Sequence, residues 1–277
     1  MRLGIFAKTF PGNQPRTVLN AARQAGYAAV QYNMACSGLG ALPERISPAD
    51  AESVRRAADE AGIEIAAVSA TYNMIDPVLE RRKAGRRGFA AIAAAAKDMG
   101  TSLVTLCTGS RDPDDQWRHH PDNATQESWD EMCREFELLI AIAEREDIVI
   151  GVEPELGNVV SSAAKARKLL DTFKPKPIGI VIDAANLFET ATLQAQRKIV
   201  SEAIELLGPS ILMAHAKDRT AGGGFAAAGH GVIDWKHYLS QLKANGFVGV
   251  LVTHGLEAGD ALGVSGFLAN QIAALDA

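Results

Sequence analysis

Eight short runs rich in Val, Ile and Ala recur along the chain, each followed by a stretch of helical period. This alternation limits the fold more than any other feature. The runs are LGIFAK from Leu3, AAVQYN from Ala28, IEIAAVSA from Ile63, SLVTLCTG from Ser102, IVIGVEPE from Ile148, IGIVID from Ile178, ILMAHAK from Ile211 and GVLVTH from Gly249. Short, β-branched and bounded by turn residues, they read as buried strands. The stretches between them carry helix ends. In SPADAESVRRAADEAG, Ser47 is placed to cap, Pro48 takes the first helical position and Asp50 can reach back. Ala51, Val54, Ala58 and Ala61 form one apolar stripe, and Gly62 is the stop. DWKHYLSQLKANG repeats the logic, with Asp234 capping, Trp235, Tyr238, Leu239 and Leu242 on one face, and Gly246 closing. The same period predicts helices over 15–25, 76–99, 125–146, 161–173, 193–207 and 264–275. Strict strand–helix alternation predicts parallel βαβ units closed into a (β/α)8 barrel, an α/β fold. The 277 residues suit one such barrel, and no Pro/Gly/Ser linker interrupts them, so a single domain over 1–277 is expected.

An open doubly wound sheet is the alternative architecture. It would carry a phosphate-binding turn after the first strand, but here the turn reads AKTFPGNQP, with neither GxGxxG nor GxxxxGK[ST].

Charge narrows the partners. With 28 basic and 33 acidic residues, the formal charge of -5 offers no footprint for nucleic acid or an anionic membrane, so a small molecule is the expected ligand. Cys36, Cys107 and Cys133 are odd in number and form no CxxC pair, which fits reduced thiols. MRLGIFAKTF holds too short an apolar run for a signal peptide, and no stretch reaches the roughly 18 apolar residues of a membrane span. A cytoplasmic protein is expected, with a homo-oligomer left open.

Polar groups at strand ends are the places to look for chemistry, because the loops after the strands of such a barrel build its active face. Side chains alternate along a strand, so Val149, Gly151 and Glu153 share one side, and an inward side aims Glu153 into the mouth. Glu155 follows just above. Three other runs end alike: IGIVIDAAN in Asp183 with Asn186 after it, ILMAHAKD in His215 with Lys217 two residues on, and GVLVTHGLE in His254. Two carboxylates and two imidazoles from the last four strands would make an N/O site for one divalent metal ion. Manganese is the first expectation, with Co2+, Mg2+ and Zn2+ as alternatives.

The segments GVEPE, VIDAAN, HAKD, GHGVIDW and GVLVTHG resemble the sugar isomerase and epimerase superfamily of xylose isomerase-like barrels, which includes tagatose 3-epimerase, hydroxypyruvate isomerase and inosose dehydratase. The resemblance spans essentially all eight units. It implies one metal held by Glu, Asp, His and Glu from strands five to eight, and Glu153, Asp183 and His215 match the first three. Two positions depart: His254 stands where the family has the second Glu, and Asn186 stands where it often has His in DxxH. The resemblance further implies a carbohydrate substrate, a ketose, keto-sugar or related hydroxy-carbonyl compound, processed through a metal-stabilised enediolate. Glu153 or Glu155 would be the base, and His254 a fourth ligand or an acid on the opposite face.

Other residues are candidates for holding the substrate. Lys217 and Arg219 could bind a carboxylate, phosphate or oxyanion, and His230 lies in the Gly-rich stretch RTAGGGFAAAGHGVIDW. CTGSRDPDDQWRHHPDN is long for a strand-to-helix loop, and its Arg111, Trp117 and His120 could wall a pocket. Lys8, Asn33 and Asn73 are weaker candidates. His119 and His237 read as loop or surface residues. A lyase or dehydratase using the same site, an endonuclease IV-like repair enzyme and a sugar binder without catalysis are the competing readings. The acidic balance and sparse histidines count against the repair enzyme.

Overall fold

A computed structural model describes residues 1–275. Its strands are β1 (Arg2–Phe6), β2 (Ala29–Tyr32), β3 (Glu64–Ser69), β4 (Leu103–Leu106), β5 (Val149–Val152), β6 (Ile178–Asp183), β7 (Ile211–Arg219), β8 (Phe225–Ala227) and β9 (Val250–Thr253). All but β8 pair in parallel with their neighbours in the ring, and the β1–β9 pairing closes it. Around the barrel run α1 (Pro15–Gln24), α2 (Pro48–Ala61), α3 (Leu79–Ala96), α4 (Gln126–Glu146), α5 (Ala163–Thr172), α6 (Leu193–Leu207), α7 (Trp235–Ala244) and α8 (Ala261–Ala273). This is the (β/α)8 barrel that the alternation predicts. No helix among the described residues is long and apolar enough to cross a membrane.

Strand alternation divides the apolar residues into two layers. Ile150 and Val152 of β5 join the large cluster between strands and helices, together with Phe136, Leu139 and Ile140 of α4. Ala29, Ala67, Val181, Met213, Val250 and Val252 form a smaller cluster inside the ring. Gly151 faces that interior, where a Cβ would lie 3.1 Å from both Leu103 and Val181. The interior is thus a packed plug, and only the ends of the strands above it are free to be polar.

Helix starts follow their caps. Ser47 accepts from the Asp50 backbone amide at 3.2 Å, Asp50 Oδ2 accepts from the Ser47 amide at 3.0 Å, and Gly62 ends α2 in the left-handed region at φ 61. Asp234 accepts from His237 N and opens α7. The third helix is shorter than its period predicts. Asp76 precedes Pro77, which disfavours helical backbone, and its Oδ1 accepts from Val78 N at 2.8 Å, so the chain turns before α3 begins. The eighth begins earlier than predicted, at Ala261.

The largest difference concerns the Gly-rich stretch. It reads as a loop, yet β7 continues to Arg219 and pairs antiparallel with β8, matching Lys217 with Ala227 and Arg219 with Phe225. Asp218 organises the return: its buried carboxylate accepts from Arg219 N, Gly229 N, Ile233 N and the Trp235 indole at 2.8–3.0 Å. That hairpin stands over the barrel mouth.

Candidate active site

Two residues beyond the last interior apolar residue of six strands, the same strand face turns polar. Ala29 leads to Gln31, Ala67 to Ser69, Gly151 to Glu153, Val181 to Asp183, Met213 to His215 and Val252 to His254. Asp183 and His215 are paired across β6 and β7, and His215 lies opposite Val252, one step below His254. Glu153, Asp183 and His215 are almost fully buried, at 7%, 1% and 3% exposure.

One ligand atom from each of Glu153, Asp183, His215 and His254 lies within 4.8 Å of the others. Each imidazole already meets a carboxylate: His215 Nδ1 is 3.0 Å from Glu153 Oε1, and His254 Nε2 is 3.0 Å from Asp183 Oδ2. The two ring centroids lie 4.5 Å apart, with the planes tilted at 55°. Ligands at about 2.1 Å from a shared ion stand about 3.0–4.2 Å apart, so a contraction on the order of an ångström closes this set on one cation. The donors fit a divalent metal, which would replace the protons now shared between nitrogen and oxygen.

Behind the donors, a buried relay fixes the His215 tautomer. Gln31 Nε2 donates to Thr105 Oγ1 at 2.9 Å, which leaves Gln31 Oε1 as the acceptor, 2.7 Å from His215 Nε2. A carbonyl oxygen only accepts, so Nε2 carries the hydrogen and Nδ1 is turned toward the cation position. Asn186 serves Glu153 in a similar way, donating to Oε1 at 2.9 Å. Its own Oδ1, buried, meets no hydrogen-bond partner among the described residues.

Electrostatics sort the ionisable groups. Burial opposes charge on Glu153, but the His215, His254 and Lys217 charges outweigh it and hold the carboxyl below its usual range. Asp183 behaves likewise: burial is countered by Lys217, whose Nζ lies 3.6 Å from Oδ2, and by His254. Glu155 goes the other way. Burial and the neighbouring Glu153 charge push it up to about 8, so it keeps its proton at neutral pH. Cys107 sits 3.9 Å from Glu153 Oε2, and burial holds it as a neutral thiol. Cys107, Glu153 and Glu155 also converge, but a thiol and a protonated carboxyl are poor ligands, so the two-carboxylate, two-imidazole set is the metal centre the chemistry favours.

With this geometry in place, comparison with known proteins adds a family. A model of the xylose isomerase-like TIM barrel matches residues 19–266. The chain belongs to that family. Solved structures share the fold at low identity. A D-tagatose 3-epimerase-like protein superposes with a TM-score of 0.76 at 18% identity, covering 100% of this chain and 98% of that one. The 3-keto-D-glucoside 4-epimerase YcjR from E. coli gives 0.74 at 18%, over 98% and 99%. The IOLI protein with a bound zinc atom gives 0.72 at 17%, over 99% of each chain. None of the curated proteins matches this chain in sequence.

In this member of the xylose isomerase-like family, a cavity of about 770 Å³ opens above the donors. It is lined by Glu153, Glu155, His215, Lys217, Arg219, His254 and Trp117, among the residues the sequence singles out, and also by Lys8 and Asn33. Arg219 donates to Ala185 O at 2.5 Å and to Gly223 O, and like Lys217 it lies against the Phe225 ring, at 4.3 and 3.9 Å. Both cations therefore hold the β7–β8 hairpin as well as facing the cavity.

Four expected substrate contacts lie elsewhere. Arg111 is drawn to α4, where it donates to Ser128 at 2.9 Å and pairs with Glu131. His120 accepts from Asp122 N at 3.2 Å and caps a turn of 3-10 helix, Pro121–Ala124. His230 is exposed in the turn after β8. Asn186 sits behind Glu153 instead of on the cavity wall. Asn73, the weaker candidate, braces the loop by donating to Ser110 O. Conversely, His119 lines the cavity, as do Gln31, Ser69, Cys107 and Phe225. Gln31 and Ser69 were within reach of the sequence, since counting two residues on from Ala29 and Ala67 finds them. No pattern in the sequence marks His119 or Phe225.

Proposed function

We propose that the chain is a divalent-metal-dependent isomerase or epimerase of a ketose, keto-sugar or related hydroxy-carbonyl compound. The convergence of Glu153, Asp183, His215 and His254 beneath a cavity of substrate size carries the reading. Bound there, a divalent cation would polarise a carbonyl and its neighbouring hydroxyl and stabilise charge on oxygen as a proton leaves the adjacent carbon. Manganese remains our first candidate, with zinc, cobalt and magnesium to be separated by metal analysis.

The residues divide the remaining work. Glu153 Oε1 is held by His215 and Asn186, whereas among the described residues Oε2 has the neutral Cys107 thiol as its hydrogen-bond partner, so Oε2 is the oxygen available to take a proton. Glu155 holds a proton on the same strand end and can return one. Acid and base side by side suit proton transfer between adjacent carbons on one face of the substrate. The same pairing favours the second reading, a lyase or dehydratase in which Glu155 protonates a departing hydroxyl. Epimerisation needs a group on the opposite face, a role open to His254 only if it stays free of the metal.

Metal-loaded protein incubated with a panel of ketoses and keto-sugars in D2O should show carbon-bound hydrogen exchange by NMR, lost in Glu153→Gln. Binding without exchange anywhere in the panel would make the chain a sugar binder. Appearance of an unsaturated product would select the lyase. Stoichiometric metal retained by both Glu153→Gln and His254→Ala would overturn the ligand assignment.

A further inference from the structure

A second cavity of about 550 Å³ lies beside the first, and the two share Gln116 and Trp117 as their common wall. The wall is firmly built. Asn158 donates to Gln116 O at 3.0 Å, Ser110 donates to Arg118 O at 2.5 Å, and Trp117 N donates to Asp115 Oδ1 at 2.9 Å. Gly157 admits the loop, since a Cβ there would stand 2.2 Å from Trp117 O. On this anchored backbone the indole is left 49% exposed, while the chain's other tryptophans, Trp129 and Trp235, are 7% and 5% exposed. A large aromatic ring held bare between two cavities is suited to stack on a flat, partly apolar ligand.

The outer cavity indicates what that ligand carries. Its lining includes Tyr72, Asn73, Asp76, Asp112, Asp114 and Asp115, with Arg81 and Glu44 at the side. Carboxylates outnumber the one guanidinium of the lining; Arg81 is 3.6 Å from Asp76, and from outside the lining Arg118 pairs with Asp112 and Arg87 with Glu44, which leaves Asp114 and Asp115 without a cation partner among the described residues. Such a surface accepts hydrogen bonds from hydroxyls and repels phosphates and other anions.

We propose that the substrate is a neutral glycoside of at least two sugar units. The reacting unit lies over the metal centre, and the second unit stacks on Trp117 with its hydroxyls in the outer cavity. This rests on the keto-sugar reading of the inner site and adds a subsite to it.

The test compares hydrogen exchange in D2O by the metal-loaded full chain on matched pairs: D-fructose against maltulose and turanose, and 3-keto-D-glucose against 3-keto-maltose. At least one disaccharide is expected to exceed its monosaccharide in kcat/KM by about tenfold, a margin that one well-packed aromatic contact can supply. Trp117→Ala should bring that ratio close to one, and Trp117→Phe should retain most of it. Equal rates within every pair would overturn the subsite while leaving the inner-site reading intact. Fructose 6-phosphate preferred over the disaccharides would overturn the neutral-glycoside assignment. Absence of exchange with every compound would remove both readings. An unchanged disaccharide preference in Trp117→Ala, with the variant melting as the parent does, would refute the role of Trp117.

Discussion

Gln31 shows how much one neutral side chain can decide. It touches no charge except through His215, yet its carbonyl selects the imidazole nitrogen left to face the carboxylates. Removing such an orienting partner typically weakens metal binding about 10–100-fold. Gln31→Leu should show a loss of that order by calorimetric titration of Mn2+ or Zn2+ into metal-free protein, whereas Gln31→Glu, which keeps an acceptor, should lose less. Arg111 teaches the opposite lesson. A basic residue in a long loop invites a functional reading, but its guanidinium is taken up by Glu131 and Ser128. Glu131 also receives Arg82 at 2.6 Å. Burial opposes its charge, but the two arginines prevail and hold its carboxyl below the usual range. A depressed folded-state pKa means stability that is present above the ordinary carboxylate range and lost as pH falls through the folded value. Glu131→Gln should therefore cost about 2 kcal/mol near neutral pH, between the values for exposed and buried pairs. Thermal melts in a pH series should show the gap to the parent closing below about pH 4.

At the scale of elements, helix ends are written in the chain and strand ends are only half written. The capping box of α2 involves residues three apart, so Ser47 and Asp50 can be paired without knowing the fold. Ser47→Ala should lower the unfolding free energy by about 1 kcal/mol, measured by denaturant titration, with metal affinity unchanged. The β7–β8 hairpin is different. Its glycines read as a loose connection, but a single buried carboxylate, Asp218, gathers four donors from up to 17 residues away and sets the return. Nothing in the period of KDRTAGGGFAAAG signals that gathering, because each donor is a backbone amide or an indole that any loop could carry. Asp218→Asn presents an amide where four donors converge, so it should loosen the hairpin. Faster amide hydrogen exchange across 217–235 than in the parent would report it.

Across the whole molecule, ring closure concentrates charge that no single βα unit could tolerate. Two nearly buried carboxylates and two imidazoles gather above an apolar plug, with Lys217 3.6 Å from Asp183. A cation bound only by the closed ring stabilises the folded state by mass action, by about 2.7 kcal/mol at a hundredfold excess over its dissociation constant. Chelation should therefore lower the melting temperature, and Mn2+ or Zn2+ should restore it in the parent but not in Asp183→Asn. A melting temperature indifferent to both chelator and metal would count against the centre.

The chain's local periods determine the order of strands and helices, the helix caps and the strands that end in Glu153, Asp183, His215 and His254, because each of these depends on neighbours a few residues apart. Tertiary structure alone decides which ends face one another. It brings Gln31 to His215 across 184 residues, leaves Arg111, His120 and His230 off the cavity wall, and sets Trp117 bare between two hollows. Those outcomes depend on register and closure, which fix contacts between side chains whose sequence separation carries no periodic signal.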